Sequence, residues 1–385
     1  MNSPLLSQSF TPQRYDLFAG LDVDKRSIAV SFLDQQGNLR SLRMPYGAKP
    51  LLNYVHKHFP TQKVIFAYEA GPTGWGLYDE VTAKGHPCIV VSPAMVPRAP
   101  GQRVKTNRLD SRKLAQGLRG GELKGVHVPS TPYRQLRHLV QLRDTLVRQI
   151  TATKLRLKAL LLFEGIAFPE APAGSQWSRR VRAELKALPC SAAVRFKLDR
   201  LLAQLEFTGQ QTRQTLKEIH RLCQQEPELE RCLLYLRSIP GIGAIVATHL
   251  LARIGDWRQL ENVRQIGAFL GVVPREESTG EDIRRGPIMR SGDSRLRSKL
   301  IQSAWAAIRQ DAELREFYRR IYQRHHRDQA ARKAIVAVAR KLTTRIYCVL
   351  KEQRPYVLKA QSASPPLRAE EVEGLQGETR RQAEA

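Results

Sequence analysis

The chain has 385 residues, enough to bury a sizeable core and to hold two or three domains. Its 63 Lys and Arg against 36 Asp and Glu give a formal net charge of +27 and an isoelectric point near 10.4, so the expected partner is a polyanion, with nucleic acid first. No apolar run has the length of a membrane-spanning helix, no N-terminal stretch has a signal pattern, and five cysteines without a paired CxxC spacing point to a reducing cytoplasm without structural zinc.

The first element is a strand: Leu17, Phe18, Ala19, Leu21 and Val23 precede a turn, and Ile28, Val30 and Phe32 then alternate with Ala29 and Ser31. Asp22 therefore falls within or at the edge of a hairpin. The run Val64 to Ala67 breaks at Gly71-Pro72-Thr73-Gly74, which leaves Glu69 at the carboxyl end of a strand, where α/β sheets carry their sites. Cys88 to Val91 reads as one more buried strand. A basic, Pro- and Gly-containing loop from Ser92 to Val104, with Arg103, runs through Lys105, Thr106, Asn107 and Arg108 into the helical LDSRKLAQGLRG, which carries Asp110 in its first turn. Taken singly, these acids read as a turn residue, a solvated strand end and a helix N-terminal carboxylate. In this order, on a strand, a strand end and a helix start, they predict a shared divalent metal, Mg²⁺.

Residues Pro132 to Phe163 form a long basic helix with Leu139, Leu142, Leu146, Ile150, Leu157 and Leu160 on one narrow stripe, as in a coiled coil or helical hairpin. A short helix from Trp177 to Leu188 and a second long one from Ala192 to Leu222 follow, the latter able to return antiparallel. The stripe serves either as core or as a seam between copies of the chain.

From Leu233 two apolar helical pieces meet at Pro240-Gly241-Ile242-Gly243. The glycines fit a helix-hairpin-helix whose exposed N–H groups hold a phosphate, or an ordinary close-packed turn. Further on, Ser278 and Thr279 lie in a polar, Gly-bounded loop before Arg284, Arg285, Arg290, Arg295 and Arg297, cations placed to neutralise a phosphodiester. A turn or helix cap is the other reading of that loop. His325 and His326 are adjacent and so cannot share one helix face as a metal pair. Beyond Leu358 the composition is that of a disordered tail.

Six motifs in this order, GLDVDK, YEAGPTGWGLY, RVKTNRLDSRKLAQGLRGGEL, SIPGIGAIVATHLLARIGD, GAFLGVVPREESTG and MRSGDSRLRSKL, resemble the transposases of the IS one-ten family of bacterial insertion sequences, also called DEDD transposases or bridge recombinases; together they cover most of residues 16–357. The resemblance implies an α/β plus α chain: a RuvC-like domain of RNase H fold (1–130), a helical coiled-coil insertion (131–232), a mainly helical C-terminal transposase domain (233–358) and a tail (359–385). It implies Asp22, Glu69 and Asp110 as Mg²⁺ ligands and Ser278 as the nucleophile that forms a covalent link to DNA, or Thr279 if the register slips by one. It implies donor and target DNA and a structured non-coding guide RNA as partners, with the chain itself assembling as a dimer or tetramer. The family places a further Asp three residues before the last acid, where this chain has Asn107. Asn offers a neutral carbonyl oxygen and one charge less, so the site works with three carboxylates, is weakened, or draws on Asp24. A Holliday-junction resolvase-like nuclease that uses water, and a nucleic-acid-binding protein with a weakened site, are the alternatives.

Overall fold

The computed structural model describes residues 11–95, 107–172, 174–279, 282–288, 292–325 and 327–358, which fall into two compact units divided between Val128 and Pro129. The first unit is built on five strands, β1 (Leu17–Val23), β2 (Ser27–Asp34), β3 (Leu39–Pro45), β4 (Val64–Glu69) and β5 (Cys88–Val91), in the order β3-β2-β1-β4-β5. β1, β2 and β3 are antiparallel neighbours, whereas β1, β4 and β5 run parallel.

The three parallel strands are buried on both faces, which is why they read as unbroken apolar runs. One face, with Leu21, Val30, Phe66, Tyr68 and Val90, packs under α1 (Ala48–His58) and α2 (Gly76–Ala83). The other, with Phe18, Ile65, Ala67 and Ile89, packs under α3 (Asn107–Arg119) through Leu114, Ala115 and Leu118. The result is a three-layer α/β/α arrangement. β3, α1 and α2 are not foreshadowed by the sequence.

The second unit is mostly helical. Its long hairpin is made of α4 (Thr131–Phe163) and α6 (Ala192–Gln225), joined through α5 (Arg179–Ala187). Leu136 and Val140 cluster with Ile219 and Leu222, while Leu157 and Leu161 cluster with Val194 and Leu198, so the two helices run antiparallel. Most of the expected stripe faces inward, with Leu157 and Leu160 buried and Leu139 and Ile150 packed against the same cores, but Leu142 is 48% exposed, and Leu136, Val140 and Thr153 take further inward positions. Ten residues separate Val140 from Ile150 on this face, and a helix of 3.6 residues per turn drifts off a strict seven-residue repeat over such a distance.

Beyond the hairpin come α7 (Pro227–Arg237), α8 (Ala244–Ile254) and α9 (Val263–Leu270), then the antiparallel strands β6 (Pro274–Thr279) and β7 (Asp282–Ile288), then α10 (Ser294–Gln310), α11 (Ala312–Gln323) and α12 (Arg327–Glu352). These helices bury one continuous apolar core, from Leu236 and Leu250 to Leu300 and Leu342. Among the described residues no helix is long and apolar enough to cross a membrane.

Candidate functional site

The three acids lie in the first unit. Register pairs Gly20 with Ala67 and Leu21 with Tyr68, so one step further along the parallel strands Asp22 stands beside Glu69 at their carboxyl ends. Side chains alternate along a strand. Asp22 thus continues the row of Phe18 and Gly20, and Glu69 the row of Ile65 and Ala67, both on the face covered by α3.

α3 runs antiparallel to β1. Its C-terminal Arg119 lies next to Gly37, just past the end of β2 that pairs with Leu17, while its second turn, Ser111 to Ala115, lies over Gly20. Asp110 precedes Leu114 by one turn and so is delivered to the same end and face as Asp22 and Glu69. The positive end of the α3 dipole points to this end too, which favours gathered negative charge.

Two features missed in the sequence hold that arrangement. Gly20 has no side chain where α3 crosses: a Cβ there would stand 2.0 Å from the Ser111 carbonyl oxygen and 2.4 Å from the Ala115 nitrogen. Beside it, the buried Ser31 hydroxyl is 2.9 Å from that of Ser111 and 2.8 Å from that of Ser41, a chain that ties the α3 start to β2 and β3. A glycine inside an apolar strand was the one signal available, since such residues mark close backbone approach. The turn after Glu69 is fixed as well: the Tyr68 hydroxyl, whose pKa burial pushes well up, donates to the Gly74 carbonyl over 3.0 Å.

Carboxylate oxygens suit a hard divalent cation. Among the described residues, however, no three His, Cys, Asp or Glu side chains close into a group able to hold an ion, and Asp110 lies 3.8 Å from the Lys113 ammonium. Backbone placement therefore brings the three acids to one end and one face, and closure around a cation requires side-chain rotation and release of Lys113. Asp24 sits in the turn after β1, where its Oδ1 accepts from the Lys25 N–H over 2.7 Å. The helical backbone at Asn107 and Arg108 begins α3; their side chains, and all of Arg103 and Lys105, lie outside the described residues.

In the second unit, Ser278 and Thr279 belong to a strand and not to the expected loop. Ser278 is paired with Ile283 and Thr279 with Asp282 at the end of the β6–β7 hairpin. Serine is a turn former, and pairing with the next strand of the hairpin overrides that local preference, while threonine suits a strand. Both hairpin ends are anchored. Gly271 closes α9 in the left-handed region, and Gly292, φ +96°, lies so near the Phe269 backbone that a Cβ would be 2.5 Å from its oxygen. The side chains of Ser278, Thr279, Arg284 and Arg285, all of Arg290 and His326, and the tail beyond Leu358 lie outside the described residues. Arg295 is exposed in the first turn of α10, and the half-buried Arg297 has a buried Nη1 without a hydrogen-bond partner among the described residues.

The two glycines between α7 and α8 do different things. Gly241, φ +83°, packs on α10, where a Cβ would meet the Ser303 oxygen at 2.2 Å, whereas Gly243 caps α8 with nothing within 4 Å of such a Cβ. The close-packed reading holds for Gly241, and Gly243 leaves the α8 N-terminus open. Also unforeseen is a charge cluster around Asp144 of α4: His249 Nε2 is 2.8 Å from its Oδ1, with Lys299 at 3.5 Å and Arg143 at 3.4 Å. Burial pushes the Asp144 carboxyl up, but the hydrogen bond and charge of His249, with Lys299 and Arg143, hold it at about 2.

Two family models match this chain. One, described as the transposase IS116/IS110/IS902 family, matches residues 234–319; a DEDD transposase model of the IS110 type matches residues 19–164. The y4qE protein of Sinorhizobium fredii, whose name marks it as a transposase, is 33% identical over 75% of this chain and 71% of its own length. The transposase for insertion sequence element IS1328 of Yersinia enterocolitica is 27% identical over 81% of this chain and 91% of its own. A pilin gene-inverting protein of Moraxella bovis is 30% identical over 36% of this chain and 43% of its own.

Proposed function

This chain belongs to the IS116/IS110/IS902 family of transposases, and from that premise we propose that it is a DNA recombinase whose RuvC-like unit supplies a carboxylate metal site and whose helical unit supplies a serine nucleophile. The observation that carries the reading is the delivery of Asp22, Glu69 and Asp110 to one end and one face of the sheet by three separate elements. Mg²⁺, bound there, would polarise a scissile phosphate and ease loss of a hydroxyl proton.

The protein's own part begins with the serine. The Ser278 oxygen attacks phosphorus and loses its proton, one P–O bond of the DNA backbone breaks, and the departing sugar oxygen is protonated. Attack on the phosphoserine by another strand's sugar hydroxyl then restores the serine and completes exchange without an outside energy source. Asn107 leaves three carboxylates, and the neutral amide oxygen serves as a weak or water-mediated ligand. The α4–α6 hairpin is read as the coiled-coil seam between two copies of the chain, and the 1–130, 131–232, 233–358 and 359–385 division as the functional one. A structured guide RNA is the further partner, supported by the surplus of 63 basic over 36 acidic residues.

A nicked suicide substrate tests this. Wild-type protein with Mg²⁺ should form a protein–DNA adduct that survives denaturation and maps to PREESTGEDIR, and Ser278→Ala should lose both adduct and strand exchange. Cleavage retained by Ser278→Ala without an adduct would replace this reading with a water-using resolvase. Asp22→Ala, Glu69→Ala and Asp110→Ala should each abolish exchange while leaving nucleic-acid binding intact.

A further inference from the structure

The helical unit contains a groove of about 350 Å³ between α9, α11 and α12 that has no part in the serine and metal chemistry. Its floor is apolar, made by Val273, Phe317 and Ala337, and its rim is cationic, made by Arg264, Arg340 and Lys341. Lys341 is held by Glu313 at 2.7 Å and lies over the Phe317 ring at 4.7 Å. Arg264 and Arg340 are exposed and make no ion pair among the described residues. Gly267 of α9 keeps the floor open. A Cβ there would stand 3.1 Å from Val273 Cγ1, which gives a reason for a residue that otherwise weakens a helix interior.

We propose that this groove holds one unpaired nucleotide of a nucleic-acid strand, its phosphate between Arg264 and Arg340 and its base or sugar on the apolar floor; the inference rests on the recombinase reading and adds a binding subsite to it. Size selects the occupant. A volume of about 350 Å³ lies at the small end of ligand clefts, roughly 300–1,000 Å³, which suits a monomer unit and excludes a duplex. Charge selects it as well, since two uncompensated guanidinium groups over an apolar surface fit an anion that carries a flat, poorly hydrated body. A strand opened during exchange and a guide RNA share this chemistry.

Fluorescence anisotropy on the full chain separates the outcomes, with a single-stranded DNA, its duplex and a single-stranded RNA of the same sequence as probes. Arg264→Gln with Arg340→Gln should weaken single-strand binding roughly tenfold and lower the salt slope by about 0.7 for each phosphate no longer neutralised. Arg179→Gln with Lys186→Gln on α5 removes equal charge elsewhere and should cost far less. Thr344→Trp, at an exposed position on the groove wall, changes no charge and should weaken single-strand binding while sparing the duplex. Weaker binding of the DNA probe, the RNA probe or both identifies the source of the nucleotide. Overturning results are an effect equal to the α5 control, an unchanged affinity in Thr344→Trp, or equal weakening on duplex and single strand. Circular dichroism melts confirm that each variant folds. Because these measurements need no cleavage, failure of the groove and failure of the serine chemistry remain distinguishable.

Discussion

Replacing Gly20 by alanine puts a methyl group 2.0 Å from the Ser111 carbonyl oxygen and 2.4 Å from the Ala115 nitrogen, both backbone atoms that cannot rotate away. Ordinary contact begins near 3.4 Å, so α3 must retreat from β1 by somewhat over 1 Å. That retreat stretches the 2.9 Å Ser31–Ser111 hydrogen bond inside the core. Overpacking of this kind costs about 1–3 kcal/mol, and a buried hydroxyl left unsatisfied costs about 1–3 kcal/mol more. A combined loss of about 3–4 kcal/mol is a large part of the roughly 5–15 kcal/mol that holds a domain together. Urea unfolding and calorimetry should show it, at roughly 3–4 °C of melting temperature per kcal/mol for a unit of this size. Because Asp110 travels with α3, Mg²⁺-dependent strand exchange should fall by about 10²-fold even below the melting transition, the scale expected for 1 Å misplacement of reacting groups. A Gly20→Ala protein that melts within 2 °C of wild type (roughly half a kcal/mol) and recombines at full rate would refute both the close approach and the claim that it positions Asp110.

The glycines between α7 and α8 predict a contrast: Gly241→Ala, strained at φ +83° and blocked by the Ser303 oxygen, should destabilise by more than about 2 kcal/mol, whereas Gly243→Ala should cost less than about 1 kcal/mol in the same urea titration. Asp144 sets an acid limit. Its carboxyl is held below its ordinary 3.8 at about 2, so its contribution is complete above pH 4 and is lost as the pH falls through about 2. The shift corresponds to about 2–3 kcal/mol, and Asp144→Asn should flatten that limb of the stability–pH curve while lowering stability at neutral pH.

Much of the sheet unit was legible because its strands obey simple rules. β1, β4 and β5 are buried on both faces and read as apolar runs, and each acid stands where a run ends or a helix begins. β3 escaped because it is a half-exposed edge strand with arginines at 40 and 43, which blunt its alternation. The convergence of the acids was not legible locally. It depends on contacts such as Ser31 to Ser111, 80 residues apart, for which the sequence shows two unremarkable serines. At Ser278 composition misled: Ser278 and Thr279 pair in a hairpin whose partner positions, Ile283 and Asp282, acquire meaning only through register.

Several carboxylates of the helical unit differ from Asp110 in how they are paired, and this bears on the proposed metal site. In the helical unit Asp293 caps α10 and meets Arg253 at 2.7 Å, and Asp311 caps α11 and meets Arg345 at 2.6 Å. Glu228 and Asp256 share Arg258, each at 3.0 Å, and Asp144 is ringed by His249, Lys299 and Arg143. Each of these acids is committed to a cap or a close cation. Drawing one onto a metal would leave its basic partner uncompensated, at a cost of several kcal/mol for a buried pair. In the sheet unit Asp110 pairs with Lys113 at 3.8 Å among the described residues, a separation at which a partly exposed pair contributes only about 0–1 kcal/mol. A divalent ion displaces Lys113 far more readily than Arg345. The same ion pairs that hold the helices together thus make Asp144, Asp293, Asp311, Glu228 and Asp256 poor candidates for a metal site.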